Sequence, residues 1–421
     1  MNKKAILVGV NTSKQEEEFA YSMEELGNLA EACHIDTVEE MRQNLNRINQ
    51  GYYLGTGKMD ELKEMVEAEE ADMLIFDDEL SPSQIRNIEE ATECQVVDRT
   101  MLILEIFANR AKTRESKLQV EVARLKYMLP RLIGSRESLG RQGGGSGLIN
   151  RGSGETKLET DRRKIEEQIA KLNRELENLV NQRKTQRKQR EKNDVPVVSL
   201  VGYTNAGKST TMNAVLDIYQ TGTDKQVFEK DMLFATLETS VRKVELETNQ
   251  TFLLTDTVGF INKLPHHLVK AFRSTLEEVI EANLLIHVLD ISNPNYKEHC
   301  RLTNEILTAI GVTDIPMIYA YNKADQTEMN YPVVENNHIY LSAKKRTGIR
   351  ELLDLIKVNV FKDYVICELL IPYSEGQIVS YLNDQANILE EVFEEKGTRL
   401  RVECKPSDAE RFQQYQIDED K

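Results

Sequence analysis

Apolar positions along this 421-residue chain change their period three times, and each change marks a different kind of element. Up to about residue 110, short continuous apolar runs alternate with stretches in which apolar residues recur every three or four positions. Runs rich in Ile, Val and Leu read as buried strands, and the three-to-four recurrence reads as helix. Strands are predicted over 5–10, 35–38, 73–76 and 95–97. Helices are predicted over 16–32, 59–69, 81–91 and 100–110, the third opened by Ser81-Pro82. Residues 1–111 therefore predict an open N-terminal α/β domain.

From residue 112 the strands stop, and Leu118, Val122, Leu125, Leu129 and Leu132 form one helical seam. A second seam runs through Leu158, Ile165, Ile169, Leu172, Leu176 and Leu179. Two such seams in succession predict an antiparallel helical hairpin over 112–192. Its tip, 140–154, holds seven glycines in fifteen residues together with Arg141 and Arg151, too poor in apolar side chains to pack a core. Thr156 and Glu159 have capping-box spacing and predict the start of the second helix, while Pro130 predicts a kink in the first. Strand and helix alternate again over 193–363, as a mostly parallel sheet flanked by helices requires. Residues 364–421 predict a small α+β module: a strand over 367–371, a helix over 374–383, two strands about Lys396-Gly397, and a disordered tail from 417.

The net charge of -16 argues against a polyanionic partner until it is divided along the chain. Residues 1–109 carry 9 basic and 24 acidic side chains, 110–192 carry 22 and 11, and 193–421 carry 23 and 35. A basic hairpin between acidic blocks suits an element that touches nucleic acid while the rest stays clear. A solvated basic surface, or a charged linker at Arg183, Lys184, Arg187 and Lys188, is the plainer alternative. No apolar run reaches the ~18 residues of a membrane span, so no stable membrane insertion is expected. Cys33, Cys94, Cys300, Cys367 and Cys404 lie far apart with no C-x-x-C spacing, which supports neither zinc nor a disulfide framework and suits a cytoplasmic location.

Candidate chemistry concentrates at residues 202–210, GYTNAGKST, which carry the G-x-x-x-x-G-K-[ST] spacing of a phosphate cradle. Gly202 and Gly207 let the backbone of Tyr203, Thr204, Asn205 and Ala206 curl its N–H groups toward phosphate. Lys208 reaches the β/γ oxygens, the Ser209 hydroxyl ligates Mg²⁺, and Thr210 opens a helix. After the strand-like 251–255 come Asp256, Thr257, Val258 and Gly259. Here a carboxylate holds the Mg²⁺ shell, through water, and a glycine N–H meets the γ-phosphate. After 316–321 come Asn322, Lys323 and Asp325, the N-K-x-D that reads guanine: a carboxylate accepts from N1–H and the 2-amine, which adenine lacks. Ser342, Ala343 and Lys344 follow the strand 338–341, with the Ala343 N–H aimed at guanine O6. Four motifs in this order predict a GTPase. Gly55-Thr56-Gly57-Lys58 does not add a second site, because its first glycine would fall at Tyr52 and its hydroxyl at Met59; a tight turn before a helix explains it.

A threonine between the phosphate cradle and the next strand should ligate Mg²⁺ only when the γ-phosphate is present; Thr236 is the candidate, with Thr223 and Thr239 as rivals. Lys208, Thr236, Gly259 and Asn205 are the candidate catalytic groups. The residue after Gly259 is Phe260, which cannot orient an attacking water, so intrinsic hydrolysis should be slow. Acceleration must come from a partner surface, a backbone group, or a potassium ion near Asn205, whose alternative role is only to shape the turn. The histidines form no competing constellation, and His266-His267 read as surface residues.

Three stretches carry a resemblance over essentially the whole chain: 117–131 (KLQVEVARLKYMLPR), 152–163 (GSGETKLETDRR) and 256–261 (DTVGFI). Through them the chain resembles the HflX family of ribosome-associated GTPases, which also carries the phenylalanine found here at Phe260. The resemblance implies a cytoplasmic, monomeric protein that binds the large ribosomal subunit and its RNA, not DNA. With GTP bound it would split stalled or hibernating ribosomes under stress, its basic hairpin reaching into ribosomal RNA. Two other readings stay open: a GTP-dependent switch whose hairpin binds a protein, and an RNA-remodelling factor acting on free RNA. An ATP-dependent activity of the N-terminal domain, credited to some members, finds no second phosphate cradle here.

Overall fold

The computed structural model describes residues 2–12, 15–134, 150–192, 195–219, 234, 240–246, 248, 250–265, 268 and 279–417. The chain packs as two units, one of Met1–Arg187, Lys230–Glu238 and Gly259–Thr275, the other of Lys188–Glu229, Thr239–Val258 and Leu276–Lys421. Of the expected tip 140–154 and tail, 140–149 and 418–421 lie outside the described residues.

In the first unit four parallel strands, β1 (Lys3–Asn11), β2 (Ile35–Asn44), β3 (Met73–Phe76) and β4 (Gln95–Asp98), run in the order β2-β1-β3-β4. The apolar runs of β1 and β3 are buried on both faces, as central parallel strands between helices must be. Ile6, Val8, Leu74, Phe76, Leu62 and Ile88 share one core. Helices α1 (Glu16–Ala32) and α4 (Arg99–Arg110) pack on one another, as do α2 (Thr56–Glu69) and α3 (Pro82–Thr92). Ser81 caps α3 in a reciprocal box with Gln84, and Asp98 caps α4 by accepting from the Met101 N–H at 2.9 Å. Gly55 is the N-cap of α2 and Lys58 pairs with Glu61 at 2.6 Å, the turn-before-helix arrangement. Strand β2 is longer than its apolar run 35–38, pairing with β1 as far as Asn11↔Asn44. The extension lies on an edge and exposes Glu39 and Glu40, so it leaves no hydrophobic period to read.

The hairpin forms from α5 (Arg114–Gly134) and α6 (Asn150–Lys192). Arg114 at the start of α5 pairs with Glu175 in α6, the match expected of antiparallel helices. Ile165, Ile169, Leu172, Leu176 and Leu179 are the half-buried stripe of α6, as the seam predicts. In α5 burial extends beyond the seam. Of the seam, Val122 is buried, Leu118, Leu125 and Leu129 are half-buried and the side chain of Leu132 lies outside the described residues; Ser116, Gln119, Val120, Ala123 and Tyr127 are buried as well, and α5 packs on α4 and α3. Helix α6 starts at Asn150, six residues before the Thr156 box, so residues 150–154 of the expected tip are helical. Once a long helix is nucleated, each added residue gains a hydrogen bond, and Gly152 and Gly154 are tolerated near its end. Pro130 lies inside α5 without ending it.

In the second unit seven strands form one sheet in the order β10-β11-β9-β8-β5-β7-β6. They are β5 (Val197–Val201), β6 (Ser240–Glu245), β7 (Thr251–Asp256), β8 (Leu284–Asp290), β9 (Met317–Asn322), β10 (Val333–Glu335) and β11 (His338–Tyr340). Strands β5, β7, β8, β9 and β11 are parallel, so their carboxyl ends, and the loops that follow, lie along one edge. Helices α7 (Lys208–Tyr219) and α9 (Ile349–Val360) bury Met212, Val215, Leu352 and Ile356 in one core with Leu200, Leu254, Ile286 and Ile318 of the sheet. Helix α8 (Tyr296–Ala309) packs against β8. The C-terminal module is an antiparallel sheet β12-β14-β13 (Val365–Ile371, Gly397–Cys404, Asn387–Glu394) backed by α10 (Gly376–Gln385), with a short helix α11 (Pro406–Arg411) that the sequence pattern does not predict. No helix among the described residues is long and apolar enough to cross a membrane.

Arg99, 1 % exposed, is the least expected core residue of the first unit: its guanidinium pairs with Asp77 at 2.7 Å and with Glu25. Removing one partner from a buried ion pair leaves an uncompensated charge, typically at a cost of about 3–5 kcal/mol. Arg99→Met should therefore lower unfolding stability by about that amount in denaturant titration.

Candidate functional site

The site begins where β5 ends. Gly202 (φ 144°) and Gly207 (φ 97°) adopt backbone conformations that side chains rarely take. A Cβ at Gly202 would sit 2.3 Å from the Val288 carbonyl oxygen, and one at Gly207 2.2 Å from Asn322 Nδ2. The loop is thus pressed against β8 and β9 so closely that only glycine fits. Asn205 (φ 60°) is exposed at the loop's crest, in a left-handed turn that asparagine tolerates. Tyr203 is buried and stacks flat on His299 at 3.8 Å. The Thr204 hydroxyl is buried with no hydrogen-bond partner among the described residues.

Lys208 opens α7 and is 6 % exposed. Its ammonium donates to the carbonyls of Gly202 (3.2 Å) and Tyr203 (2.8 Å). Burial pushes its pKa down to about 8, opposed by the Asp256 carboxylate. A buried ammonium held by neutral carbonyls is poised for an incoming polyanion. Ser209 Oγ donates to Asp256 Oδ2 at 2.5 Å, so the two groups expected around Mg²⁺ lie together where β5 and β7 pair at Leu200↔Asp256. Both are hard oxygen donors of the kind Mg²⁺ takes. Thr257 donates to the Leu200 carbonyl at 2.6 Å, while Val258 and Phe260 are buried. Thr236, the candidate first-switch ligand, and its rivals Thr223 and Thr239 lie outside the described residues, as do His266 and His267.

The loops after β9 and β11, expected to read the base, close the other side. Asn322 Nδ2 donates to the Ala206 carbonyl at 2.9 Å, and its Oδ1 accepts from the Ala343 N–H at 2.9 Å. One carboxamide thus joins the phosphate loop, the N-K-x-D loop and the loop after β11. The Ala343 N–H, expected to face guanine O6, is directed at Asn322 in this structure. Asp325 Oδ1 accepts from Ser342 Oγ at 2.6 Å, which orients the carboxylate. Lys323 sits in a left-handed turn (φ 61°) and pairs with Asp290 at 2.7 Å, while Lys344 is exposed. The sequence reading missed Asp290, although a carboxylate ending the apolar run of β8 is a signal that could have found it. No local pattern marks the stack of His299 on Tyr203 or the burial of His287 on β8.

The chain matches known proteins along most of its length. Residues 20–108, 110–190 and 197–323 match family models described as GTP-binding GTPase N-terminal, GTP-binding GTPase Middle Region and 50S ribosome-binding GTPase. The chain is 44% identical over 415 residues to the GTPase HflX of Caldanaerobacter subterraneus subsp. tengcongensis, covering 99% of this chain and 94% of that protein. It is 39% identical to the GTPase HflX of Escherichia coli K12, covering 89% and 88%. Among solved structures, the GDP complex of a GTP-binding protein from Sulfolobus solfataricus matches at 26% identity and a TM-score of 0.43, over 86% of this chain and 99% of that one.

His287, fully buried on β8 beside Val201, has no hydrogen-bond partner for either ring nitrogen among the described residues. Burial, then the nearby Lys208 charge, lower its pKa to about 3. The unfolded chain binds the proton at about pH 6.5, so stability is full above that value and is lost as pH falls toward the folded value. Between about pH 7.5 and about pH 5.5 the loss should be about 1.4 kcal/mol. Denaturant unfolding of the wild type should show it, and His287→Leu should lack that part of the pH dependence.

Proposed function

The chain belongs to the HflX family of GTPases and is a GTP-hydrolysing enzyme, and from that premise we propose that it binds the large ribosomal subunit and, with GTP bound, separates stalled or hibernating ribosomes under stress. The observation that carries this reading is the segregation of charge. The basic residues crowd into the hairpin region 110–192, between two acidic blocks, while 197–323 matches a 50S ribosome-binding GTPase model. A basic hairpin can follow the phosphates of ribosomal RNA, and acidic surroundings keep the rest of the chain off other polyanions.

In this proposal the phosphate loop takes the triphosphate through the N–H groups of residues 203–209, with Lys208 meeting the β/γ oxygens. Ser209 and Thr236 would hold Mg²⁺ directly and Asp256 through water; the ion would supply neutralisation of the charge spread over the phosphate oxygens. Gly259 donates its N–H to the γ-phosphate. Asp325, oriented by Ser342, accepts from the guanine N1–H and 2-amine, and Asn322 holds the base loops against the phosphate loop. Phe260 is 2 % exposed and has no group to orient water, so hydrolysis is slow until the ribosome supplies the missing positioning. Asn205, exposed at the crest of the loop, is placed to hold a potassium ion that would offset developing charge. GTP binding drives separation and hydrolysis releases the factor.

Sedimentation with a non-hydrolysable GTP analogue tests the central claim: the protein should travel with large subunits in the analogue and not in GDP. Equal binding in both nucleotides, or none in either, would reject it. Replacing potassium by sodium should lower the GTPase rate, and Asn205→Ala should remove that difference; a rate indifferent to the cation would discard the potassium role.

A further inference from the structure

Helix α8 buries one stripe, His299, Thr303 and Leu307, whose spacing of four lays a single face of the helix on β8. An imidazole is an unexpected member of such a stripe, because a polar ring taken out of water costs more to bury than an apolar side chain. Burial also keeps it neutral, pushing its pKa down to about 4 against the opposing pull of Asp290 and Glu298. What an imidazole offers that a leucine would not is a flat face. The Tyr203 ring lies on that face, with centroids 3.8 Å apart and planes 6° from parallel. The backbone N–H of His299 donates to the Asn295 carbonyl at 3.1 Å in the first turn of α8, so a fixed helix presents the ring.

Tyr203 is the first residue between the two glycines of the phosphate loop, and its position sets two others. Its carbonyl accepts from the Lys208 ammonium at 2.8 Å and from the Ala206 N–H at 3.3 Å. At the far end of the same four residues, the Ala206 carbonyl is tied to Asn322 at 2.9 Å. Between these ends the Thr204 hydroxyl finds no partner among the described residues, and Asn205 is exposed. We propose that His299 is a positioning residue for nucleotide binding: its stack on Tyr203 pins the near end of the phosphate loop, as Asn322 pins the far end, so that the loop's N–H groups converge on phosphate. Without the stack the near end samples other arrangements, and apparent affinity falls in proportion to the time the loop spends in the receiving one. The guanine preference, carried by Asp325 on another loop, is left as it was.

The pin rests on the phosphate role proposed for residues 202–210, and the two can fail separately. His299→Leu keeps an apolar side chain in the stripe and removes the flat face. Titration calorimetry of the full-length variant should show GDP affinity lowered about three- to tenfold, the worth of an aromatic pair. Inosine diphosphate has the same phosphates but lacks the 2-amine; it should weaken by the same factor, leaving the preference for GDP over it unchanged. His299→Phe, which restores a flat ring, should bring GDP affinity back to within about twofold of the wild type. Tyr203→Leu should cost about as much as His299→Leu, and the double variant little more than either, because both remove one shared contact. Undiminished GDP affinity in His299→Leu, a loss that His299→Phe does not recover, or additive losses in the double variant would overturn the pin and leave the nucleotide site standing. A reduced preference for GDP over inosine diphosphate in His299→Leu would overturn it too, by making His299 a general packing residue. Failure of the wild type to bind GDP would overturn the nucleotide-site reading itself.

Discussion

Three loops that lie far apart in the chain meet at the side chain of Asn322. Its carboxamide donates to the phosphate-loop carbonyl of Ala206 and accepts from the N–H of Ala343, both at 2.9 Å. The contact is possible only because Gly207 has no Cβ, since one would lie 2.2 Å from Asn322 Nδ2. It also needs the parallel register that brings the ends of β5, β8, β9 and β11 to one edge. The glycine-rich loop, the N-K-x-D loop and the loop after β11 are therefore mechanically joined: a side chain that shifts one shifts the other two. Ser342, adjacent to Ala343, orients Asp325, so the carboxylate of the N-K-x-D loop inherits the same constraint.

Both units bury charge, for different reasons. Moving an ion out of water costs several kcal/mol even after relaxation, so each buried charge must be matched or kept ready for a partner. Lys208 is buried against carbonyl oxygens and its pKa is pushed down to about 8; this arrangement is tolerable in isolation and much better beside a triphosphate. Arg99 is matched outright by Glu25 and Asp77. Asp77 is then shared between Arg99 and Lys263, and these neighbours outweigh burial to hold its carboxyl below the usual range. The Lys208 ammonium is thus placed to meet an anion, whereas Asp77 is matched by cations of the chain itself.

Most elements were legible because their periods are local. The apolar runs of β1, β3 and β8, the half-buried stripe of α6 and the Ser81-Pro82 cap all follow from neighbours within a few residues. The failures share one cause. The far half of β2 is held by pairing with β1 and needs no hydrophobic run of its own. Helix α5 buries Val120, Ala123 and Tyr127 beside the seam residue Val122 because α3 and α4 supply a second surface, which a two-helix seam could not reveal. Helix α6 begins at Asn150 because cooperative extension overrides a capping signal at Thr156.

By itself the sequence determined that this chain is a GTPase. The phosphate-cradle spacing, the D-x-x-G carboxylate and the N-K-x-D loop are each written in a few adjacent residues, and their order along the chain is what points to a GTPase. Only the tertiary structure decided what those residues are tied to. Asn322 and Ala343 are 21 positions apart, Asp256 and Ser209 are 47, and Lys263 and Asp77 are 186. Pairings over such distances depend on how strands are ordered and which loops share an edge, and that is set by the packing of the sheets, not by any pattern a short window can hold.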